Sequence, residues 1–209
     1  YEGEWNLGCA HGKGTFYHCD GDVYMGEYRN NKANGMGVYH NQNGAKYEGQ
    51  WKDDQQHGKG VELFQDGSEY DGYYQNGKKE GFGTYMWADG SKYVGEWLDN
   101  RIHGLGYYTW EDGRKYYGHW NKNDMEGVGI YIWGDGRRYE GEFVKDKKEG
   151  YGMYFWSDGR RYEGYWFKGK QHGLGTYIDL NKQKIKFGLW ENGQRVKWFD
   201  ETSIKLINQ

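Results

Sequence analysis

Four histidines, His11, His57, His103 and His172, occupy one recurring position of the chain, where imidazoles could serve as general bases or metal ligands. Asn34, Glu80, Glu126 and Glu149 fill the same position elsewhere, and that mixture suits a polar turn residue better than a proton-transfer group. Cys9, His11, His18 and Cys19 are zinc-ligand types close together in sequence. If residues 9 to 19 run as an extended strand, the pair at 9 and 11 lies roughly 20 to 25 Å from the pair at 18 and 19. A metal could then only bridge two chains. Ser68, Ser91, Ser157 and Ser203 are the only serines and none sits in a nucleophile-elbow motif. The recurring G-x-G pairs follow loops and do not open helices, which removes a dinucleotide reading. These residues lead us to expect no enzyme and no cofactor.

Charge and rings recur as well. Arg114-Lys115, Arg137-Arg138 and Arg160-Arg161 are spaced by 23 residues, and a stripe of this kind attracts anionic lipid head groups at about 1 kcal/mol per basic residue. Glu140 and Glu163 share a strand face with Arg138 and Arg161 and are expected to neutralise them, while Arg114, Arg137 and Arg160 have the parity to stack on rings. Trp87, Trp110, Trp133 and Trp156 form a second column, with Tyr85, Tyr108, Tyr131 and Tyr154 two positions earlier. These eight are core residues or a groove for an extended or helical peptide. Residues 1 to 104 hold ten basic and sixteen acidic side chains, residues 105 to 209 eighteen and fifteen. With a net charge of -3 and a pI of 6.2, nucleic acid is not an expected partner.

The elements that must position these residues follow from a repeat. Tyr1, Tyr24, Tyr47, Tyr70, Tyr93, Tyr116, Tyr139 and Tyr162 are 23 residues apart without a slip, each followed two residues later by Gly and four later by a large ring. A G-x-G pair and an Asp-Gly or Asn-Gly complete each unit. Leu, Ile, Val and Phe total only 30 of 209 residues, whereas 41 residues are aromatic and 37 are Gly, so the core must be rings lying on glycine. Alternation of ring and polar residues reads as half-buried strands, a polar loop joins the two strands of a unit, and Asp-Gly supplies positive φ angles for a tight turn before the next. Proline is absent, as an uninterrupted ladder of paired strands requires. The fold class is therefore all-β: an elongated, twisted antiparallel single-sheet ribbon of tandem 23-residue hairpins. No apolar stretch has signal-peptide or membrane-spanning length, and two cysteines make no disulfide framework, so the chain reads as soluble and intracellular.

The unit carried by Tyr1, Gly3, Trp5, His11, Gly12, Gly14, Asp20, Gly21 and Tyr24 resembles the MORN repeat. The resemblance covers residues 1 to about 193 and implies a non-catalytic, all-β interaction module. Such repeats are known as cytoskeletal and membrane-associated scaffolds and as modules fused to enzymes and junctional membrane proteins. This undecorated run is most similar to the cytoskeletal MORN scaffolds of parasitic protists. That likeness implies a homodimer, cytoskeletal protein partners, a role in cell division, and a cytoplasmic location at the cytoskeleton or peripheral at the inner face of a membrane. The alternative, drawn from the basic ladder, is a phosphoinositide-binding membrane-targeting or regulatory module of a larger enzyme-containing protein, acting through Arg114, Lys115, Arg137, Arg138, Arg160 and Arg161.

Residues 1–193 thus divide into about eight and a half repeats, starting at 1, 24, 47, 70, 93, 116, 139 and 162, with a partial unit at 186. That last unit is shifted by one residue, has Lys186 in the tyrosine column and has lost its Asp-Gly turn between Asn181 and Lys184. Residues 194–209 are expected to cap the end or to self-associate, with Phe187, Trp190, Trp198 and Phe199 as candidate contacts. The first unit carries the full pattern without a capping segment, from which we expect the protein to continue upstream.

Overall fold

The computed structural model describes residues 1–200, and these form strands joined by turns, with one short 3₁₀ turn. Two compact units divide the chain, the first running from Tyr1 to Gly104 and the second beginning at Leu105. The first contains β1 (Glu2–Asn6), β2 (Cys9–Tyr17), β3 (Val23–Arg29), β4 (Lys32–His40), β5 (Lys46–Lys52), β6 (Gln55–Leu63), β7 (Glu69–Gln75), β8 (Lys78–Met86) and β9 (Lys92–Leu98). Each pairs antiparallel with the next. β10 (Arg101–Thr109) contains the boundary. The second unit continues with β11 (Lys115–Asn121), β12 (Asp124–Ile132), β13 (Arg138–Val144), β14 (Lys147–Phe155), β15 (Arg161–Phe167), β16 (Lys170–Asp179), β17 (Lys184–Glu191) and β18 (Gln194–Trp198). These too pair antiparallel in succession. The all-β class and the tandem hairpins match the sequence expectation.

The repeat built from β11 and β12 shows how 23 residues close on themselves. Lys122 and Asn123 join the two strands with φ of 52° and 77°, so the expected polar loop is a two-residue turn with both positions left-handed. Between repeats the sequence predicts a tight turn in which Asp-Gly supplies the positive φ angles, and here the structure differs. Only its glycine has positive φ, 86° at Gly136, while the Asp135 carboxylate accepts the Arg137 N–H at 3.1 Å. The connection between repeats is longer, closed by the Trp133 N–H donating to the Arg137 carbonyl at 2.9 Å. Aspartate serves here as an acceptor for its own backbone, not as a left-handed residue.

Ring burial explains the glycine columns. Tyr116 has no exposed surface and lies across the facing Gly118–Gly129 pair, its hydroxyl donating to the His119 carbonyl at 3.0 Å. Its edge meets Trp120 of its own repeat at 5.0 Å and Phe143 of the next at 5.2 Å, both near perpendicular. Such edge-to-face pairs are worth about 0.5–1.5 kcal/mol beyond their burial. Tyr70, Tyr93, Tyr139 and Tyr162 are equally buried. Between Gly118 and Trp120, β11 advances two residues while β12 advances four, and the bulge is absorbed at Gly127 with φ of 69°. The two glycines of each G-x-G pair therefore have different tasks: the first turns the backbone, and the second makes room for the ring.

Candidate partner-binding surfaces

Three successive repeats of the second unit carry the same ladder. Trp110, Trp133 and Trp156 stand half-buried at the ends of β10, β12 and β14, just before the inter-repeat turn. The guanidinium of the arginine after that turn lies over each indole, at 5.2 Å for Arg114, 5.5 Å for Arg137 and 5.5 Å for Arg160. The same arginines ion-pair through Nε with Asp112, Asp135 and Asp158 at 2.7, 2.6 and 2.6 Å. Their Nη1 atoms donate to the hydroxyls of Tyr131, Tyr154 and Tyr177 at 3.3 to 3.4 Å. Hydrogen bonds from Arg114 hold the Asp112 carboxyl below the usual carboxylate range, and the Arg160 backbone N–H does so first for Asp158. Each indole is thereby fixed against a cation and remains half-buried.

The candidate groove residues divide by depth. Tyr131 and Tyr154 are buried, whereas Tyr85, Trp87, Tyr108, Trp110, Trp133 and Trp156 are half-buried. Two of the four tyrosines are thus core, and the tryptophan column, half-buried throughout, is what a partner could touch. Arg138 and Arg161 pair with Glu140 at 3.0 Å and Glu163 at 2.7 Å, as their shared strand face predicts. Five of the six basic candidates therefore sit in ion pairs within the chain, while Lys115 is exposed with no ion pair among the described residues. In the first unit the ladder position holds Asp22, Ala45, Ser68 and Ser91 in place of arginine. Asp22 there accepts hydrogen bonds from the Tyr39 hydroxyl, the Gln42 N–H and the Asn41 amide, and those from Tyr39 and Gln42 hold its carboxyl low.

Near the C-terminus, Trp190 is buried between Tyr162 at 4.9 Å and Trp198 at 5.4 Å. Phe187 and Phe199 meet at 5.4 Å, and Trp198 lies under Arg195 at 4.8 Å. β18 covers β17, and the lost Asp-Gly turn is replaced by a 3₁₀ turn at Leu180–Lys182 with Gln183 left-handed. Of the four self-association candidates, Phe187, Trp198 and Phe199 keep partial exposure. Ile204, Leu206 and Ile207 lie outside the described residues. Cys9 and His11 belong to β2 and Cys19 to the turn after it, and no group of three or more metal-ligand types gathers among the described residues. The glutamates that alternate with the histidine column hold the next hairpin turn: Glu126 accepts the Lys145 N–H at 3.0 Å and Glu149 the Lys168 N–H at 2.8 Å.

A feature that sequence reasoning missed is a lysine drawn into the ring stack. The Lys148 ammonium lies 4.3 Å from the Trp166 ring, 4.8 Å from Tyr154, 5.3 Å from Trp133 and 5.5 Å from Tyr139, without an ion pair among the described residues. Burial pushes its pKa down to about 8, with the Arg137 charge adding to the effect. Lys79, at the same repeat position in the first unit, lies over Phe64, Tyr70, Tyr74 and Tyr85 and pairs with Glu62 at 3.5 Å. Both were legible as lysines in an otherwise apolar or amide column, a signal available from aligning the repeats.

These features define a tandem β-hairpin repeat protein. The MORN repeat pattern matches residues 1–23, 24–46, 47–69, 70–92, 93–113, 116–137, 139–160 and 162–181, so the chain belongs to the MORN repeat family. No curated protein matches it. Among solved structures it is similar to the TCP domain of Drosophila melanogaster SAS-4 (dCPAP) in complex with a proline-rich motif of Ana2 (dSTIL). The identity is 10%, with 86% of this chain and 90% of that one covered at a TM-score of 0.47. The wild-type TCP10 domain of Danio rerio CPAP is similar at 10% identity over 89% and 99% of the two chains, with a TM-score of 0.29. Likeness of this size decides nothing about function. No helix among the described residues is long and apolar enough to cross a membrane.

Proposed function

We propose that the chain is a non-enzymatic scaffold that self-associates and holds cytoskeletal proteins together, near a membrane in its cellular setting. The observation that carries this reading is the braced tryptophan row. Trp110, Trp133 and Trp156 are each stacked under an arginine whose carboxylate and phenol partners hold it in place. Rigid, half-exposed aromatic and arginine side chains are the residue types that dominate binding energy at protein interfaces, because little entropy remains to be lost when a partner arrives. The phosphoinositide alternative draws less support, since five of its six basic residues are neutralised within the chain.

Co-sedimentation with assembled microtubules and actin filaments tests the reading. The chain is expected to pellet with one of them, and replacing Trp110, Trp133 and Trp156 by Ala is expected to weaken binding at least about tenfold while the circular dichroism spectrum is kept. Unchanged binding by the folded variant would reject the tryptophan row. A monomer by light scattering would reject self-association. Loss of phosphoinositide-vesicle binding on replacing Arg137, Arg138, Arg160 and Arg161 by Gln would favour the lipid reading instead.

A further inference from the structure

The repeat position that holds Lys79 and Lys148 is Ile102 and Met125 in two other repeats, Gln56 and Gln171 in two more, and Ala10 and Ala33 in the first two. Ala33 is therefore the site where a surrounding ring frame has lost its filling side chain. His18, Tyr24, Tyr39 and Trp51 stand in the places that Trp133, Tyr139, Tyr154 and Trp166 take around Lys148, five repeats further on. The frames superimpose closely in their internal distances. Tyr24–Trp51 is 5.1 Å against 5.2 Å for Tyr139–Trp166, and Tyr39–Trp51 is 6.2 Å against 6.0 Å for Tyr154–Trp166. His18–Tyr39 is 5.9 Å against 5.6 Å for Trp133–Tyr154, and Tyr24–Tyr28 and Tyr139–Phe143 are both 5.2 Å. The rings hold their positions whether or not a lysine lies among them, so the cage is preformed.

In place of the lysine is a cavity of about 330 Å³, lined by those four rings together with Tyr28 and Asp54. Trp51 is correspondingly half-exposed, where Trp166 over Lys148 is 7% exposed. The Asp54 carboxylate borders the cavity and uses Oδ1 to accept the Ala33 N–H at 2.7 Å, which leaves its second oxygen for a donor entering the cavity. The unit around it carries sixteen acidic against ten basic side chains, a field that draws cations in.

We propose that the Ala33 cage binds a lysine side chain of a partner polypeptide, which takes the place that Lys148 fills from within the chain. The alkyl stem lies along the tyrosine faces, and the ammonium meets the indole of Trp51 and the carboxylate of Asp54. The inference deepens the partner-binding reading and rests on it for the partner being a protein. Its test uses a tripeptide, so failure of the cage and failure of the tryptophan row are told apart.

The full chain is titrated with N-acetyl-Gly-Lys-Gly-amide and with the norleucine counterpart, following the Trp51 indole N–H, which donates to the Gly37 carbonyl, and the Ala33 amide by NMR. Saturable shifts at both sites are expected with the lysine peptide, and binding about tenfold weaker with norleucine, since the cation–π and carboxylate contacts are lost. Ala33→Lys and Ala33→Met, which install residues that other repeats hold at this position, are expected to abolish the shifts. Equal binding of the norleucine peptide, absence of saturable shifts, or shifts that persist in either folded filled-cage variant would overturn the proposal. So would phosphatidylcholine vesicles shifting Trp51 where the lysine peptide does not, since the occupant would then be a lipid head group.

Discussion

A glycine facing a glycine across two strands is the smallest unit on which this fold depends. At Gly129 an added methyl would come within 2.6 Å of Tyr116 ring carbons, while the partner Gly118 faces it across the strand pair. Neither ring nor backbone can retreat, because Tyr116 is fully buried and its hydroxyl is engaged. Gly129→Ala is therefore expected to destabilise the protein by about 1–3 kcal/mol through overpacking. Gly136→Ala would act differently, through its φ of 86° in open space. Denaturant melts of Gly129→Ala check the value, and a loss under about 0.5 kcal/mol would mean the ring yields. The ring-on-glycine arrangement was readable in the spacing of Tyr, Gly and Trp. The allocation of one G-x-G glycine to a bulge and the other to the ring was not, because both look alike until the strands are paired.

At the scale of the element, consecutive hairpins are fastened by the second residue of each two-residue turn. Asp146 accepts the Met125 N–H at 2.8 Å through Oδ1 and donates its own N–H to the Met125 carbonyl at 3.1 Å, while adopting φ of 64°. Asn31, Asp54 and Asn100 make the same two bonds to Ala10, Ala33 and Lys79. Where the turn holds Gly, as at Gly77 and Gly169, the backbone bond alone remains, at 2.9 and 2.8 Å. Asp146→Gly thus loses a side-chain bond but keeps the turn geometry, whereas Asp146→Ala loses the bond and strains the backbone. We expect a cost of about 1 kcal/mol for Gly and about 2 kcal/mol for Ala, measured by urea denaturation. Equal costs would show that left-handed strain plays no part. The polar character of this turn was legible. Its partner in the preceding repeat was not, since a bond between residues 21 apart in sequence exists only once hairpins lie side by side.

Across the whole molecule, burial of phenols makes stability sensitive to alkali. Burial raises the pKa of Tyr24, Tyr47, Tyr70, Tyr93, Tyr116, Tyr139 and Tyr162, and pushes Tyr28 and Tyr39 up to about 12. A tyrosine in the unfolded chain ionises near 10, so above that pH the unfolded state loses protons that the folded state keeps. The stabilisation is fully present below about pH 10 and is lost as pH rises through the folded values. Titration followed by phenolate absorbance is expected to show a fraction of the 22 tyrosines ionising together with loss of far-ultraviolet signal above about pH 11. All tyrosines ionising near pH 10 with the fold intact would refute a phenol core. At this scale the charges also separate, since the ladder arginines belong to the second unit and Asp22 and the serines to the first.

The amino-acid order alone determined the repeat length, the all-β class, the ring-and-glycine core and the pairing of Arg138 and Arg161 with their glutamates, because each follows from spacing along one strand or from a period without slips. Tertiary structure decided which rings stay half-exposed and which residues close each turn. It also decided that Lys148 fills a cage of four rings while Ala33 leaves a matching one open. Those outcomes depend on side chains brought together from three consecutive strands, and the distance between such groups is set by hairpin register and bulge, which no single strand's pattern encodes.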